Sequence, residues 1–265
     1  MKQSKTPKAL CWAAVLCAAA LAVLRVVILK TSFEENGLLP VGSLAQPLTV
    51  LAAACCFAVL CLLALRLNRL PGTEACFSRS PVSLFLRLAA AILVFFGALT
   101  TILNGTETTV QRIAAFSGLA AALAMLWTAL SPDRGSSLFW LRLVTALYTA
   151  AALILRFRDW SHDPLIIHIV PLLLTWTCCM VETMLLTGFP LKAGHRRSGV
   201  LFGLAGAVFL CSLLPDYLLG LRTDLPDLLS LLGLVLWGAE AAGSLLRRDV
   251  QDEEAIEKEE VIAKN

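Results

Sequence analysis

Long apolar blocks alternate with short polar breaks along the chain, and the blocks lack the 3.6-residue stripe of a helix with one wet face. Eight blocks stand out: Ala9–Leu29, Leu48–Leu67, Val82–Leu103, Ile113–Leu130, Leu138–Leu155, Leu165–Thr187, Val200–Leu219 and Leu228–Leu246. At about 1.5 Å per residue, each is long enough for a helix to cross a hydrocarbon core of roughly 30 Å. The pattern predicts an all-α, polytopic integral membrane protein with about eight transmembrane helices. The fourth and fifth blocks are the shortest, at 18 residues each. The first follows Lys2, Lys5 and Lys8, as a secretory signal would. Its apolar run is too long for one and no small-residue cleavage site closes it, so it reads as an uncleaved span.

Composition points the same way. Hydrophobic residues make up 58% of the chain and charged residues 15%, more apolar and less charged than an average soluble domain. The net charge of +3 matters through its distribution. With the N-terminus in the cytoplasm, sixteen of the 22 basic residues fall on or near the inner side, including Lys192, Arg196, Arg197, Arg247 and Arg248. Only Arg25, Lys30, Arg112, Arg156, Arg158 and Arg222 fall outside. This positive-inside bias puts both termini in the cytoplasm and makes the cytoplasmic (plasma) membrane the expected location. Trp12, Trp127 and Trp140 then lie near the inner interface and Trp160 near the outer one, as an aromatic belt requires. The charge is a topology signal; no basic patch suits nucleic acid, and the bilayer is the expected partner. Eight of the nine cysteines lie within spans and Cys76 lies in an inner loop. No C-x-x-C is present, so redox or zinc-ribbon chemistry has no support, and no cofactor motif is present.

Two segments are expected: residues 1–246 as one eight-helix transmembrane domain and residues 247–265 as a charged cytoplasmic tail. The tail "RRDVQDEEAIEKEEVIAKN" carries i,i+4 Glu–Lys spacings that favour a solvated helical extension over a protein-docking segment. In the first outer loop, Glu34 and Glu35 accompany apolar residues that suggest it lies on the bilayer surface. Asn104-Gly105-Thr106 matches a glycosylation sequon but abuts the membrane. In "GVLFGLAGA", Gly199 and Gly203 form a G-x-x-x-G face for close helix packing within the bundle.

Candidate chemistry falls in two places. The outer stretch "RFRDWSHDPLIIHIVP" gathers Arg156, Arg158, Asp159, His162, Asp163 and His168. With Asp216 or Asp159 as a further ligand, His162, Asp163 and His168 could hold a metal, although the spacing matches no strong signature. The competing reading is a hydrated hinge, with Asp163 at a helix N-terminus, the arginines reaching headgroups and Asp159 balancing them. The hinge is favoured over ligand binding, and binding over catalysis. Arg25, near the outer end of the first span, reads as a snorkelling side chain.

The sharper signal lies deeper. Glu182, Glu240, Arg87 and Arg142 share one layer, roughly 6–9 Å below the inner surface. Intramembrane charges are rare, costly and usually paired toward the bundle interior. The arginines could instead snorkel, but a glutamate has too short a reach, so at least one Glu–Arg pair is expected. Pro171 must loosen the sixth span by freeing the Ile167 carbonyl. Three function classes are compatible with these features. The kinked span and charge layer favour a small permease or channel for a small solute or ion. A membrane sensor or assembly subunit with an outer-loop ligand, or a protein partner at the tail, is the first alternative. A lipid-modifying or metal-dependent enzyme at the outer face is the second, and it lacks a nucleophile–base pair.

Overall fold

The computed structural model describes residues 5–31, 44–67, 77–78, 80–104, 109–131, 137–160, 166–191, 193–219 and 224–264. Eight α-helices run in order: α1 Lys5–Thr31, α2 Ala45–Ala64, α3 Pro81–Leu103, α4 Thr109–Leu130, α5 Ser137–Trp160, α6 Ile166–Gly188, α7 Arg196–Leu218 and α8 Leu225–Lys264. A short 3-10 turn, Phe189–Leu191, comes after α6. Each helix is long and apolar enough to cross a membrane, and no strand occurs among the described residues. The protein is an all-α, multi-pass integral membrane protein.

The helix ends show where reading apolar blocks falls short. Helix α4 begins at Thr109 and α5 continues to Trp160, so both exceed their 18-residue apolar blocks. Backbone hydrogen bonding carries a helix past the point where the side chains turn polar. Helix α3 starts where the chemistry dictates: Ser80 caps it by accepting from the Ser83 amide, and Pro81 occupies the first turn. Helix α8 runs unbroken from its membrane-spanning part through the charged tail.

Helices α3 to α8 form a ring in which sequence neighbours pack side by side and α8 closes against α3, α6 and α7. The α1–α2 pair docks on α7. Burial reflects this order: 17% of the α2 span is buried, against 67% of the α8 span. Large apolar side chains such as Leu16, Leu62, Phe85, Phe116, Trp127 and Leu147 face outward, and a watery solvent would not tolerate so much contiguous apolar surface. Polar groups turn inward, and hydroxyls with no water to bond find carbonyls one turn back. Thr128 donates to Ala124 and Thr175 to Pro171.

The α3–α8 contact is the most extensive pair, and glycine makes it possible. A Cβ at Gly97 would lie 2.3 Å from Ser230 Oγ and 2.8 Å from the Pro226 carbonyl oxygen. At Gly233 it would lie 2.6 Å from the Ala90 carbonyl oxygen. Backbone cannot retreat as a flexible side chain can. Gly233→Ala is therefore expected to destabilise the protein by about 1–3 kcal/mol through overpacking. Gly243→Ala, where nothing lies within 4 Å, should be neutral or stabilising by up to about 1 kcal/mol through helix propensity. Unfolding of the two variants in mixed micelles checks both.

The bundle has two ends. Helix α8 continues as the charged extension from the tail end, which also holds the starts of α3, α5 and α7. The far end holds the ends of α1, α5 and α7 and the start of α8.

Candidate functional site

At the tail end, arginines bind main-chain carbonyls instead of reaching outward. Arg142 donates through Nη1 to the Leu186 carbonyl at 3.1 Å, one of the carbonyls that the last turn of α6 leaves without a helical partner. Arg197 grips the Leu67 carbonyl just beyond α2 through Nε at 2.7 Å. Arg196 forks onto the Leu245 carbonyl at 3.1 and 2.6 Å. Arg87 donates to the carbonyls of Ser83 and Ser78 at 3.3 and 3.2 Å. At Leu186, in the last turn of α6, the helix dipole favours the cation. Arg87 and Arg142 are buried and do not snorkel.

Phe77, four residues before α3, fills the space between these groups and is fully buried. The guanidinium carbons of Arg87 and Arg142 lie over its ring, 5.1 and 5.5 Å from the centroid, within cation–π range. Trp237 of α8 meets the ring edge-on with centroids 4.8 Å apart. The next residue, Ser78, donates its amide to Ser244 Oγ on α8 at 2.8 Å. The segment before α3 thus plugs the tail end.

The two glutamates of the layer have different surroundings. Glu240 Oε1 accepts from Ser83 Oγ of α3, and from Ser244 Oγ at 2.7 Å. Arg87 is its electrostatic neighbour but is hydrogen-bonded to main-chain carbonyls. Glu182 lies in the middle of α6, α7 and α8 with 2% of its surface exposed. Helices α7 and α8 meet it with glycine: a Cβ at Gly238 would lie 1.8 Å from Oε2, and one at Gly203 would lie 2.8 Å from Oε1. Its Oε1 is buried without a hydrogen-bond partner. Among the described residues, neither glutamate forms a direct ion pair with Arg87 or Arg142. The expected Glu–Arg pairing is corrected on this point. The arginine forks are taken up by carbonyls, and serine hydroxyls stand between Arg87 and Glu240.

Two direct ion pairs among the described residues lie at the far end. Arg25 of α1 holds Asp216 of α7 through Nε and Nη2, both at 2.8 Å, with 2% and 1% of the side chains exposed. The snorkelling expected of Arg25 is overturned, because the helix face that carries it points to α7 and not to lipid. Arg156 of α5 pairs with Asp227 at the start of α8, whereas Arg158 is exposed. Beside Arg25, a cleft between α1, α2, α6 and α7 is lined by Thr49, Ala53, Pro171, Phe209 and Ser212, among others. Its free volume is about 10 Å³, room for roughly one water. Pro171, the helix-loosening residue of α6, lies here.

His162 and Asp163 lie outside the described residues, as do the side chains of Asp159 and His168, whose backbones belong to α5 and α6. Cys76, Lys192, Glu34, Glu35 and the last two sequon residues also lie outside. Asp216 belongs to the ion pair with Arg25. Among the described residues, no group of three or more His, Cys, Asp or Glu could hold a metal.

Sequence reasoning did not single out Phe77, Ser83, Asp227 or Ser244. Phe77 is one aromatic in the basic segment "ACFSRSP", a position where no periodicity could mark it. Ser83 matters only because the fold brings it to Glu240, whereas Ser244 lies one helical turn from Glu240 on α8, a spacing that the sequence displays. The two glycines opposite Glu182 carried a packing signal, since Gly203 belongs to the G-x-x-x-G face and Gly238 precedes Glu240 in "WGAEAAG". No protein-family model matches the chain, and no curated protein or solved structure matches it either.

Proposed function

We propose that this integral membrane protein is a small permease that moves a small solute or ion across the bilayer, with Glu182 as its exchangeable charge. One observation carries the reading: Glu182 is buried in the three-helix junction, with Oε1 unpartnered and glycines opposite it on two helices. A buried carboxylate without a partner costs several kcal/mol, and an ionisable group inside a membrane bundle marks a candidate functional site. Ties on either side of Glu182 support the reading. Arg25–Asp216 and Arg156–Asp227 hold the far end, and Phe77 with its arginines holds the tail end. Rocking of one group of helices against another would open such ties in turn. The cleft beside Pro171 offers a weak point at the far end. The positive-inside bias places the tail end in the cytoplasm.

A sensor or assembly subunit is the second reading, and the unbroken α8 favours it, since it links the Glu240 contacts rigidly to the charged tail. The test is an uptake screen in proteoliposomes with a panel of labelled amino acids, carboxylates, sugars and monovalent ions, beside a thermal-shift screen of the same compounds. Uptake of at least one compound above protein-free liposomes is expected. Stabilisation by a compound that is never taken up would overturn the permease reading in favour of the sensor.

A further inference from the structure

We propose that the ligand of the Glu182 slot is a proton, so that H⁺ and not a metal cation is the ion coupled to movement through this protein; the coupling rests on the permease reading. Space is the first constraint. The Glu182 carboxylate already occupies the volume that side chains at positions 203 and 238 would take, with Oε2 only 1.8 Å from the Cβ position of Gly238. Opposite that carboxylate the walls are backbone, which cannot swing aside for an ion and its ligands.

Ligand count is the second constraint. Hard cations take about six oxygen ligands. Helices α7 and α8 bring glycines, and the Gly238 carbonyl oxygen, 2.6 Å from the Cβ position of Gly203, is a main-chain oxygen beside the slot. The titratable groups that sense Glu182 are the Cys178 and Cys179 thiols of its own helix. Charged groups on the elements around α6 bind other atoms, although Glu240 too keeps a buried oxygen, Oε2, without a hydrogen-bond partner. Arg142 of α5 binds the Leu186 carbonyl, Arg196 of α7 binds the Leu245 carbonyl, and Glu240 of α8 takes two serine hydroxyls. The 3-10 turn after α6, "FPL", carries no charge. Among the described residues Glu182 belongs to no group of three or more His, Cys, Asp or Glu that could hold a metal ion.

The unpartnered oxygen is the third constraint. As an anion, Glu182 leaves Oε1 desolvated with nothing to donate to it. A proton cancels that charge while adding almost no volume, and it is the one ligand that meets both the space and the solvation constraint.

The purified full-length protein in lipid nanodiscs provides the test. N,N′-dicyclohexylcarbodiimide is apolar enough to enter the bundle and reacts with the protonated acid: the carboxyl proton moves to a carbodiimide nitrogen as the carboxyl oxygen bonds its central carbon. Peptide mass spectrometry reads the adduct on Glu182, with Glu182→Gln as the blank. Labelling is expected at low pH and should fall at least about tenfold as the pH is raised across the range in which the protein stays folded. Sodium, lithium and potassium should leave it unchanged at constant pH. Suppression by any of these cations, labelling that does not change across that pH range, or no labelling at all would overturn the proposal. Because labelling requires no flux, its result is independent of the uptake screen.

Discussion

Replacing Asp216 with alanine is expected to destabilise the detergent-solubilised protein by about 3–5 kcal/mol, because it removes two charge-assisted hydrogen bonds from the buried Arg25 guanidinium. Both side chains are almost completely buried, and the guanidinium binds its partner through two hydrogen bonds of 2.8 Å. Arg25→Leu should cost a similar amount by removing the same two bonds from the carboxylate. The double variant Arg25→Leu/Asp216→Leu should recover most of the loss, since apolar residues can replace a buried pair at little cost. Equilibrium unfolding in mixed micelles gives the coupling from the double-mutant cycle. Single and double losses that simply add would mean that the pair contributes no coupling between α1 and α7.

Phe77→Ala is expected to have an effect of the same order, about 3–5 kcal/mol, as for other fully buried aromatics. The loss has two parts. The first is the cavity left beside Trp237, and the second is the loss of the π-face that Arg87 and Arg142 lie over. Phe77→Leu separates them, since it keeps most of the apolar volume and loses the ring. The leucine variant should retain part of the stability and fall short of wild type by about 0.5–2 kcal/mol for the cation–π contribution, beyond the small shape change. If the alanine variant is as stable as wild type, the plug at the tail end does not hold the bundle.

The membrane class was legible in the sequence because it depends on block length and on the absence of charge, which the order of residues displays in full. Helix ends were less legible. Thr109 to Arg112 and Arg156 to Trp160 are polar or mixed, yet they continue helices whose hydrogen bonds do not depend on side-chain polarity. Depth along a helix could also be counted, so Glu182, Glu240, Arg87 and Arg142 could be assigned to one layer. Partners could not. Ser83 meets Glu240 across 157 positions, and Arg25 meets Asp216 across 191. Snorkelling and ion pairing look alike in sequence, because the difference is which neighbour a helix face meets. The glycines opposite Glu182 were readable as packing residues, but their service to a carboxylate emerges only when α6, α7 and α8 are assembled.

If Glu182 is the working charge of a permease, flux through the Glu182→Gln variant tests that role most directly. Glutamine keeps the shape of the side chain and cannot exchange a proton or bear a charge. The comparison uses wild-type protein and variant reconstituted at equal density, with matched thermal unfolding to show that both are folded, and the solute that passes the uptake screen. The variant is expected to lose at least about tenfold in uptake rate, as removal of an essential proton-transfer group does. Wild-type uptake by folded Glu182→Gln protein would contradict the role assigned to this carboxylate.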